Sequence, residues 1–114
     1  MAYDERWSKL SEADWDAFAR AWLTELRSAK GVDQPGEGPN WGLRVVQMNF
    51  TATAECQWAF ITAAMKQANS EDDFGHIAAG PVEHLLSKFG EDYIAVVEQV
   101  FFFFKQKTAY EMPK

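Results

Sequence analysis

The chain has 114 residues, of which 47% are hydrophobic and 25% are charged, and its formal net charge is −6 at pH 7. This length predicts one globular domain with a single core, because a catalytic domain together with a regulatory one would not fit. The negative charge disfavours binding to nucleic acids and to anionic membranes, since phosphate groups would be repelled.

The single cysteine and the start of the chain both bear on the cellular compartment. Cys56 cannot form an internal disulfide, and its place inside a predicted helix favours a small buried side chain over a reactive thiol. The first residues, MAYDERWSKL, lack the basic start and the apolar run of a signal peptide. No stretch approaches the roughly 20 apolar residues of a membrane span. We therefore expect a cytoplasmic protein.

The first predicted helix runs from about Glu12 to Ala29. Ser11 and Asp14 have the S-x-x-D spacing of a capping box, in which two side chains bind the free amides at a helix start. Apolar residues then recur on one helical face, at Trp15, Phe18, Trp22 and Leu26. The following KGVDQPGEGPN, residues 30–40, contains three glycines and two prolines and is predicted to be a loop.

The segment WGLRVVQMNF, residues 41–50, is ambiguous between helix and strand. Its apolar residues alternate as in a strand up to Val45, whereas Leu43, Val46 and Phe50 follow a helical period. We predict a helix here, with a strand as the alternative.

The next predicted helix starts after Thr53, whose hydroxyl can cap it, and ends near Asn69. Glu55 lies in the first turn, where the helix dipole favours a negative charge. The apolar residues at helical spacing are Trp58, Ile61, Met65 and Ala68.

Ser70 and Asp73 form a second capping-box pattern, which predicts a short helix through Phe74 and Ile77. This helix is expected to end before Pro81, because proline has no amide hydrogen and its ring clashes with the preceding turn. The pair Gly80–Pro81 is therefore predicted to form a corner.

Two more helices complete the predicted fold. The first covers residues 81–89, with Gly90 as its left-handed C-terminal cap, and the second begins near Asp92. Their expected buried residues are Val82, Leu85, Leu86 and Phe89, then Tyr93 or Ile94 together with Val97. The predicted fold class is all-α, with short antiparallel helices in a helical-repeat-like array.

The chain closes with FFFFKQKTAYEMPK, residues 101–114. With one choice of codons, the last base of the Phe104 codon and the codons for KQKTAYE spell CAAGCAGAAGACGGCATACGAG. This string resembles a short-read sequencing library adapter, and the phenylalanine codons before it read as a run of T. We therefore predict that residues 1–99 form one helical domain and that residues 100–114 are adapter sequence read as protein.

A genuine aromatic and basic tail that binds a membrane or a partner groove is the alternative for this segment. In either case Val97, Phe101 and Phe104 keep helical spacing. The last helix is therefore expected to extend to about Phe104, with one edge of the phenylalanine run on the core.

Residues 56–99, CQWAFITAAMKQANSEDDFGHIAAGPVEHLLSKFGEDYIAVVEQ, resemble an uncharacterised bacterial family of small helical domains of unknown function. The features that carry the resemblance are Trp58 with Ile61, IAAGPVEHLL at 77–86, Gly90, and YIAVVE at 93–98. The resemblance implies no established activity. It also implies that family members continue as helix beyond the position of Gln99, so that this domain is truncated at its C-terminus.

His76, Glu83 and His84 form a candidate polar cluster, together with the nearby Asp72 and Asp73. A helical zinc site needs histidines at i and i+4, whereas these two lie eight positions apart with a Gly-Pro pair between them. Glu83 is more simply a helix cap. The pattern therefore favours surface histidines, and we expect no catalytic residue, metal or cofactor.

The five tryptophans are divided between core and surface. Trp15, Trp22 and Trp58 lie on predicted apolar helix faces and are expected in the core. Trp7 and Trp41 adjoin predicted flexible segments, so they are the candidate interaction surface.

These observations favour a non-enzymatic protein-interaction module that binds a protein partner. The alternative of a narrower kind is an immunity-like or antitoxin-like acidic protein that captures a basic partner, for which opposite charges would speed encounter. An enzyme or metal site is a third interpretation, and it requires His76, Glu83 or His84 in a common cavity.

Overall fold

A computed structural model shows an all-α architecture and confirms the predicted fold class. The structure describes residues 3–28 and 40–111, with side chains up to residue 104 and at residue 106. The expected loop at 30–40 lies outside the described residues except for its last residue. A short 3₁₀ helix, Glu5–Lys9, precedes α1 Glu12–Ser28, α2 Trp41–Thr51, α3 Ala54–Gln67, α4 Glu71–Ile77 and α5 Glu83–Glu111. The repeat-like arrangement of these helices stays a prediction.

The two capping patterns form at the expected helix starts, with one difference between them. At α1, the Asp14 amide donates to Ser11 Oγ at 3.1 Å, and the Ser11 amide donates to Asp14 Oδ2 at 2.9 Å. At α4, the Asp73 amide likewise donates to Ser70 Oγ at 3.1 Å, but Asp73 Oδ2 accepts from the Asn69 amide at 2.9 Å. The second carboxylate therefore reaches one residue further back and binds the end of the preceding connection.

Helix α1 packs mainly against α3, and their facing side chains form the centre of the core. Trp15 and Trp22 are buried as predicted, whereas Trp58 is half-buried. Each fully buried large side chain contributes about 1.5–3 kcal/mol through removal from water. The main buried residues of this interface are Trp15, Phe18, Ala19, Trp22, Leu23, Phe60, Ile61, Ala64 and Met65.

The helical prediction for residues 41–50 is confirmed, but its apolar period faces outward. Leu43, Val46 and Phe50 are 53%, 48% and 49% exposed. The face that packs on the core is formed by Val45, Met48, Asn49 and Ala52. Helix α2 thus carries apolar side chains on two opposite faces. In the outward stripe, Phe50 contacts the ring of His84, at 4.9 Å between centroids, and remains about half exposed.

The predicted corner at Gly80–Pro81 is wrong, because the backbone stays helical between α4 and α5. Residues Ala78–Val82 form a π-helical turn, in which the Glu83 amide donates to the carbonyl of Ala78 five residues earlier. An α-helical turn would bring the Pro81 ring against the carbonyl four residues before it. The wider turn relieves this clash, so the helical backbone continues through Pro81.

The predicted left-handed cap at Gly90 is also wrong. The break in α5 lies one residue earlier, at Phe89, with φ −128° and ψ 29°, and Gly90 does not take a positive φ. The helix continues directly after Phe89. A left-handed turn to cap the carbonyls of a helix end is therefore not needed here. Beyond the break, Val97 is buried and Tyr93 half-buried, while Ile94 is 45% exposed.

Helix α5 continues past Phe104 to Glu111. Phe101 and Phe104 pack against the core, whereas Phe102 and Phe103 are 65% and 62% exposed. None of the described helices combines the length and the apolar character that crossing a membrane requires.

Candidate interaction groove

Trp7 and Trp41, the two candidate surface tryptophans, line the same groove. The groove lies between the N-terminal segment, α1 and α2, and encloses about 320 Å³. Its lining residues are Trp7, Leu10, Asp14, Ala17, Phe18, Trp41 and Arg44. We call this site the tryptophan groove.

Trp7 is held in place by contacts to two helices. Its indole Nε1 donates to Thr51 Oγ1 of α2 at 2.8 Å. Its ring stacks on those of Trp15 and Phe18 of α1, with centroid distances of 6.2 and 5.8 Å. The Asp4 amide also donates to the Thr51 carbonyl at 2.8 Å, so the N-terminal segment is tied to the end of α2.

Trp41 is held by a carboxylate from α1. Glu25 Oε2 accepts from the Trp41 amide at 2.8 Å, and Glu25 Oε1 accepts from the Gly42 amide at 3.0 Å. These are free amides at the start of α2, where the helix dipole also favours a negative charge. The Trp41 ring is tilted against Phe18, at 6.0 Å between centroids.

A second cavity of about 460 Å³ adjoins the tryptophan groove and shares Trp7, Leu10 and Arg44 with it. Its other lining residues include Asp4 and Arg6, which form an ion pair at 2.7 Å between Oδ2 and Nη2. The hydrogen bonds from Arg6 lower the pKa of Asp4 to about 2. The charges of Asp4 and Arg6 therefore already neutralise each other.

Arg44 stands between the two cavities with its guanidinium over the Trp41 ring, 6.0 Å from the ring centroid. Its side chain is exposed and makes no hydrogen bond or ion pair with the residues that the structure describes. This cation–π contact leaves N–H donors of the guanidinium available to bind an anion.

The composition of the tryptophan groove fits binding rather than nucleophilic catalysis. Its described lining offers three aromatic rings, two aliphatic side chains, one carboxylate and one guanidinium, and no histidine, cysteine or serine. The carboxylate of Asp14 already has one hydrogen-bond donor, because its Oδ2 accepts from the Ser11 amide. The groove can therefore take up an apolar side chain beside a polar or charged group.

The candidate polar cluster is spread over different surroundings. His76 is exposed and lines a cavity of about 270 Å³ together with Arg27 and Asp73. Glu83 is exposed and accepts no hydrogen bond from the described residues, because the continuous helix before it leaves no free amide to cap. No hydrogen bond or ion pair joins His76, Glu83 and His84 to one another in the described part of the chain.

His84 is half-buried against α2. Its ring meets the Phe50 ring edge-on, at 4.9 Å between centroids, and its Nδ1 is buried with no hydrogen-bond partner in the described part of the chain. Burial, with a smaller contribution from the charge of Lys88, lowers the pKa of His84. Within residues 3–28 and 40–111, no three His, Cys, Asp or Glu side chains are grouped to hold a metal ion.

Sequence reasoning missed Arg44 as part of the groove. The signal was available, because Arg44 follows Trp41 by three positions and such residues share one helix face. No sequence pattern indicated that Leu10 and Ala17 line the groove, because their positions there depend on how the N-terminal segment crosses α1.

No curated protein and no solved structure matches the chain. A model of a family of unknown function, DUF6869, matches residues 29–101. The match covers α2, α3, α4 and the first part of α5, so Trp41 and Arg44 lie inside it and Trp7 lies outside. It confirms the resemblance to an uncharacterised family, and since it spans more than half of the chain, the protein belongs to DUF6869, a family of unknown function.

Proposed function

We propose that this protein is a protein-interaction module that binds a segment of a partner protein in the tryptophan groove. The observation that carries the proposal is the meeting of Trp7 and Trp41 around one open, mostly apolar cavity. Tryptophan is enriched among residues that dominate binding energy, particularly where it lines a pocket that can be fully desolvated.

The groove is pre-organised, which supports binding. Trp7 is fixed by Thr51 and by stacking on Phe18, and the start of α2 at Trp41 is fixed by Glu25. Side chains that are already ordered lose little conformational entropy when a ligand arrives. The cavity of about 320 Å³ is at the lower end of the range for ligand pockets, which suits one large apolar side chain of a partner.

Ala17 offers a way to block the groove without removing any of its walls. Its side chain is exposed and lines the groove, so Ala17→Arg should fill the cavity while the core stays intact. Thr24→Arg is the matched control, because Thr24 is exposed on the same helix and does not line the groove.

The probe is a random peptide library displayed on phage and selected on the purified protein, followed by titration of synthetic versions of the enriched peptides. We expect enriched peptides to share one aromatic or leucine side chain, and Ala17→Arg to weaken their binding about tenfold or more. Thr24→Arg should leave the affinity unchanged. A library that yields no peptide, or peptides that bind Ala17→Arg as well as the wild type, would overturn the proposal.

The net charge of −6 favours a second, narrower function, in which the protein captures a basic partner. Opposite net charges accelerate encounter and make the association rate fall as salt is added. In the same selection, this function predicts that Lys and Arg are enriched outside the apolar anchor and that the association rates of these peptides fall with added NaCl. Peptides without basic residues and with salt-independent rates would exclude it.

A further inference from the structure

We propose that Arg44 selects an anionic group, an Asp or Glu carboxylate, next to the apolar side chain that enters the tryptophan groove. This inference rests on the proposed function and names the chemistry of the segment that the groove recognises. The occupant is thus a segment of a partner protein in which an aromatic or leucine residue adjoins an acidic one.

Arg44 lies at the junction of the two cavities and has no charged partner among the described residues. The other arginine there, Arg6, donates to both carboxylate oxygens of Asp4, through Nε at 3.0 and 3.2 Å and through Nη2 at 2.7 Å. Arg44 makes no such contact with any described residue. A guanidinium carries five N–H donors and no acceptor, so an incoming carboxylate is its natural partner.

The Arg44 guanidinium lies at the wall of the groove in a cation–π contact with Trp41, with 6.0 Å between Cζ and the ring centroid. A guanidinium presents its N–H donors in the plane of the group, where a carboxylate can bind two of them. An acidic residue beside the apolar anchor would therefore meet Arg44 while the anchor contacts Trp7 and Phe18.

The carboxylate of Asp14 also lines the groove, but it does not prevent Arg44 from selecting an acidic residue of the partner. Asp14 Oδ2 accepts from the Ser11 amide at the start of α1, where the helix dipole offsets part of its charge. The overall charge of −6 acts at long range and affects the approach of a partner. The contact at Arg44 acts at short range and selects the residue that docks.

The test uses an enriched peptide from the library selection and a second version in which the acidic residue next to the anchor is changed to its amide. We expect Arg44→Gln to weaken binding of the acidic peptide about tenfold, and to leave binding of the amide peptide unchanged. Arg44→Lys should recover part of the loss, because it keeps the charge without the planar donors. Arg44→Glu should bind a peptide with Lys at that position better than the wild type does.

Arg44 is exposed, so these variants should keep the circular dichroism spectrum and thermal midpoint of the wild type. Peptides that lack an acidic neighbour, or that bind Arg44→Gln as tightly as the wild type while Ala17→Arg still abolishes their binding, would overturn this inference and leave the proposed function standing. Binding that Ala17→Arg does not affect would overturn both.

Discussion

The guanidinium of Arg27 on α1 binds the buried carboxylate of Asp73 on α4, with 2.6 Å between Nη2 and Oδ2. The Arg27 side chain is 41% exposed and that of Asp73 only 3%. The same Asp73 oxygen accepts from the Asn69 amide. One carboxylate thus joins the first helix, the end of the α3–α4 connection and the start of α4.

Replacing Asp73 should destabilise the protein. We expect Asp73→Asn to lower the free energy of unfolding by about 1.5–3 kcal/mol, because hydrogen bonds to a charged group are lost in a buried place. Urea unfolding followed by circular dichroism measures the change. Glu91→Gln is the control, since Glu91 is exposed and its loss should cost less than about 0.5 kcal/mol. Equal stabilities of the two variants would contradict this role of Asp73.

The stability contributed by Asp73 should depend on pH in the acid range. Burial alone would raise the pKa of Asp73, but the hydrogen bonds from Arg27 and Asn69 outweigh it and hold the pKa below 3.8. The unfolded chain then binds a proton more readily than the folded one. The difference in unfolding free energy between wild type and Asp73→Asn should therefore be fully present above pH 3.8 and shrink as the pH falls through the folded-state pKa. A difference that stays constant down to the lowest measurable pH would contradict the assignment.

His84 should make the protein less stable in mild acid. Burial first, and the charge of Lys88 second, keep the pKa of His84 below its usual 6.5. The unfolded chain therefore takes up a proton first, so stability is highest above pH 6.5 and falls as the pH drops towards the folded-state pKa. His84→Gln should flatten the profile of unfolding free energy against pH over this range. His76→Gln, at an exposed histidine, is the control, and an effect of equal size there would contradict the prediction.

The two faces of α2 can be compared by the same substitution at adjacent residues. Val45 is 3% exposed and Val46 is 48% exposed. We expect Val45→Ala to lower the free energy of unfolding by about 1–3 kcal/mol, because it leaves a cavity in the core. Val46→Ala should change it by less than about 0.5 kcal/mol. Thermal and urea unfolding of both variants measure the difference, and the reverse order would mean that α2 is rotated.

The origin of residues 100–114 is best tested at the level of DNA. We predict that the gene, isolated and sequenced by a route without library adapters, lacks the run of phenylalanine codons and the codons for KQKTAYE. The exposure of Phe102 and Phe103, at 65% and 62%, agrees with a segment that was not selected to fold here. The same ending in an adapter-free clone would contradict the prediction.

Much of the fold could be predicted from local signals. The capping residues Ser11, Thr53 and Ser70 each bind the amide that their position indicates, and helical spacing identified Trp15 and Trp22 as core. These features depend on residues a few positions apart, which is the range that sequence patterns describe well.

The features that were missed depend on contacts between distant residues or on uncommon backbone geometry. The period of Val46 and Phe50 indicated a helix correctly, but a helix with apolar residues on two faces does not show which face is inward. Pro81 usually ends a helix, so a π-helical turn that accommodates it was not expected. Phe60, which is fully buried, lies off the spacing used to identify the core face of α3.

The meeting of Trp7 and Trp41 could not be derived from the sequence. Their positions beside predicted flexible segments indicated exposure, but their common groove depends on the hydrogen bond from Trp7 to Thr51 and on the packing of both rings on Phe18. These contacts join distant parts of the chain, and no local pattern encodes them.

The carboxylate of Glu25 anchors α2 from outside the segment that the family model matches. The matched residues, 29–101, contain neither Glu25 nor the four large side chains of α1 that fill the core against α3. The matched segment therefore lacks α1, one of the two helices whose facing side chains form the centre of the core. Expression of the matched segment alone would remove one wall of the core along with one side of the groove.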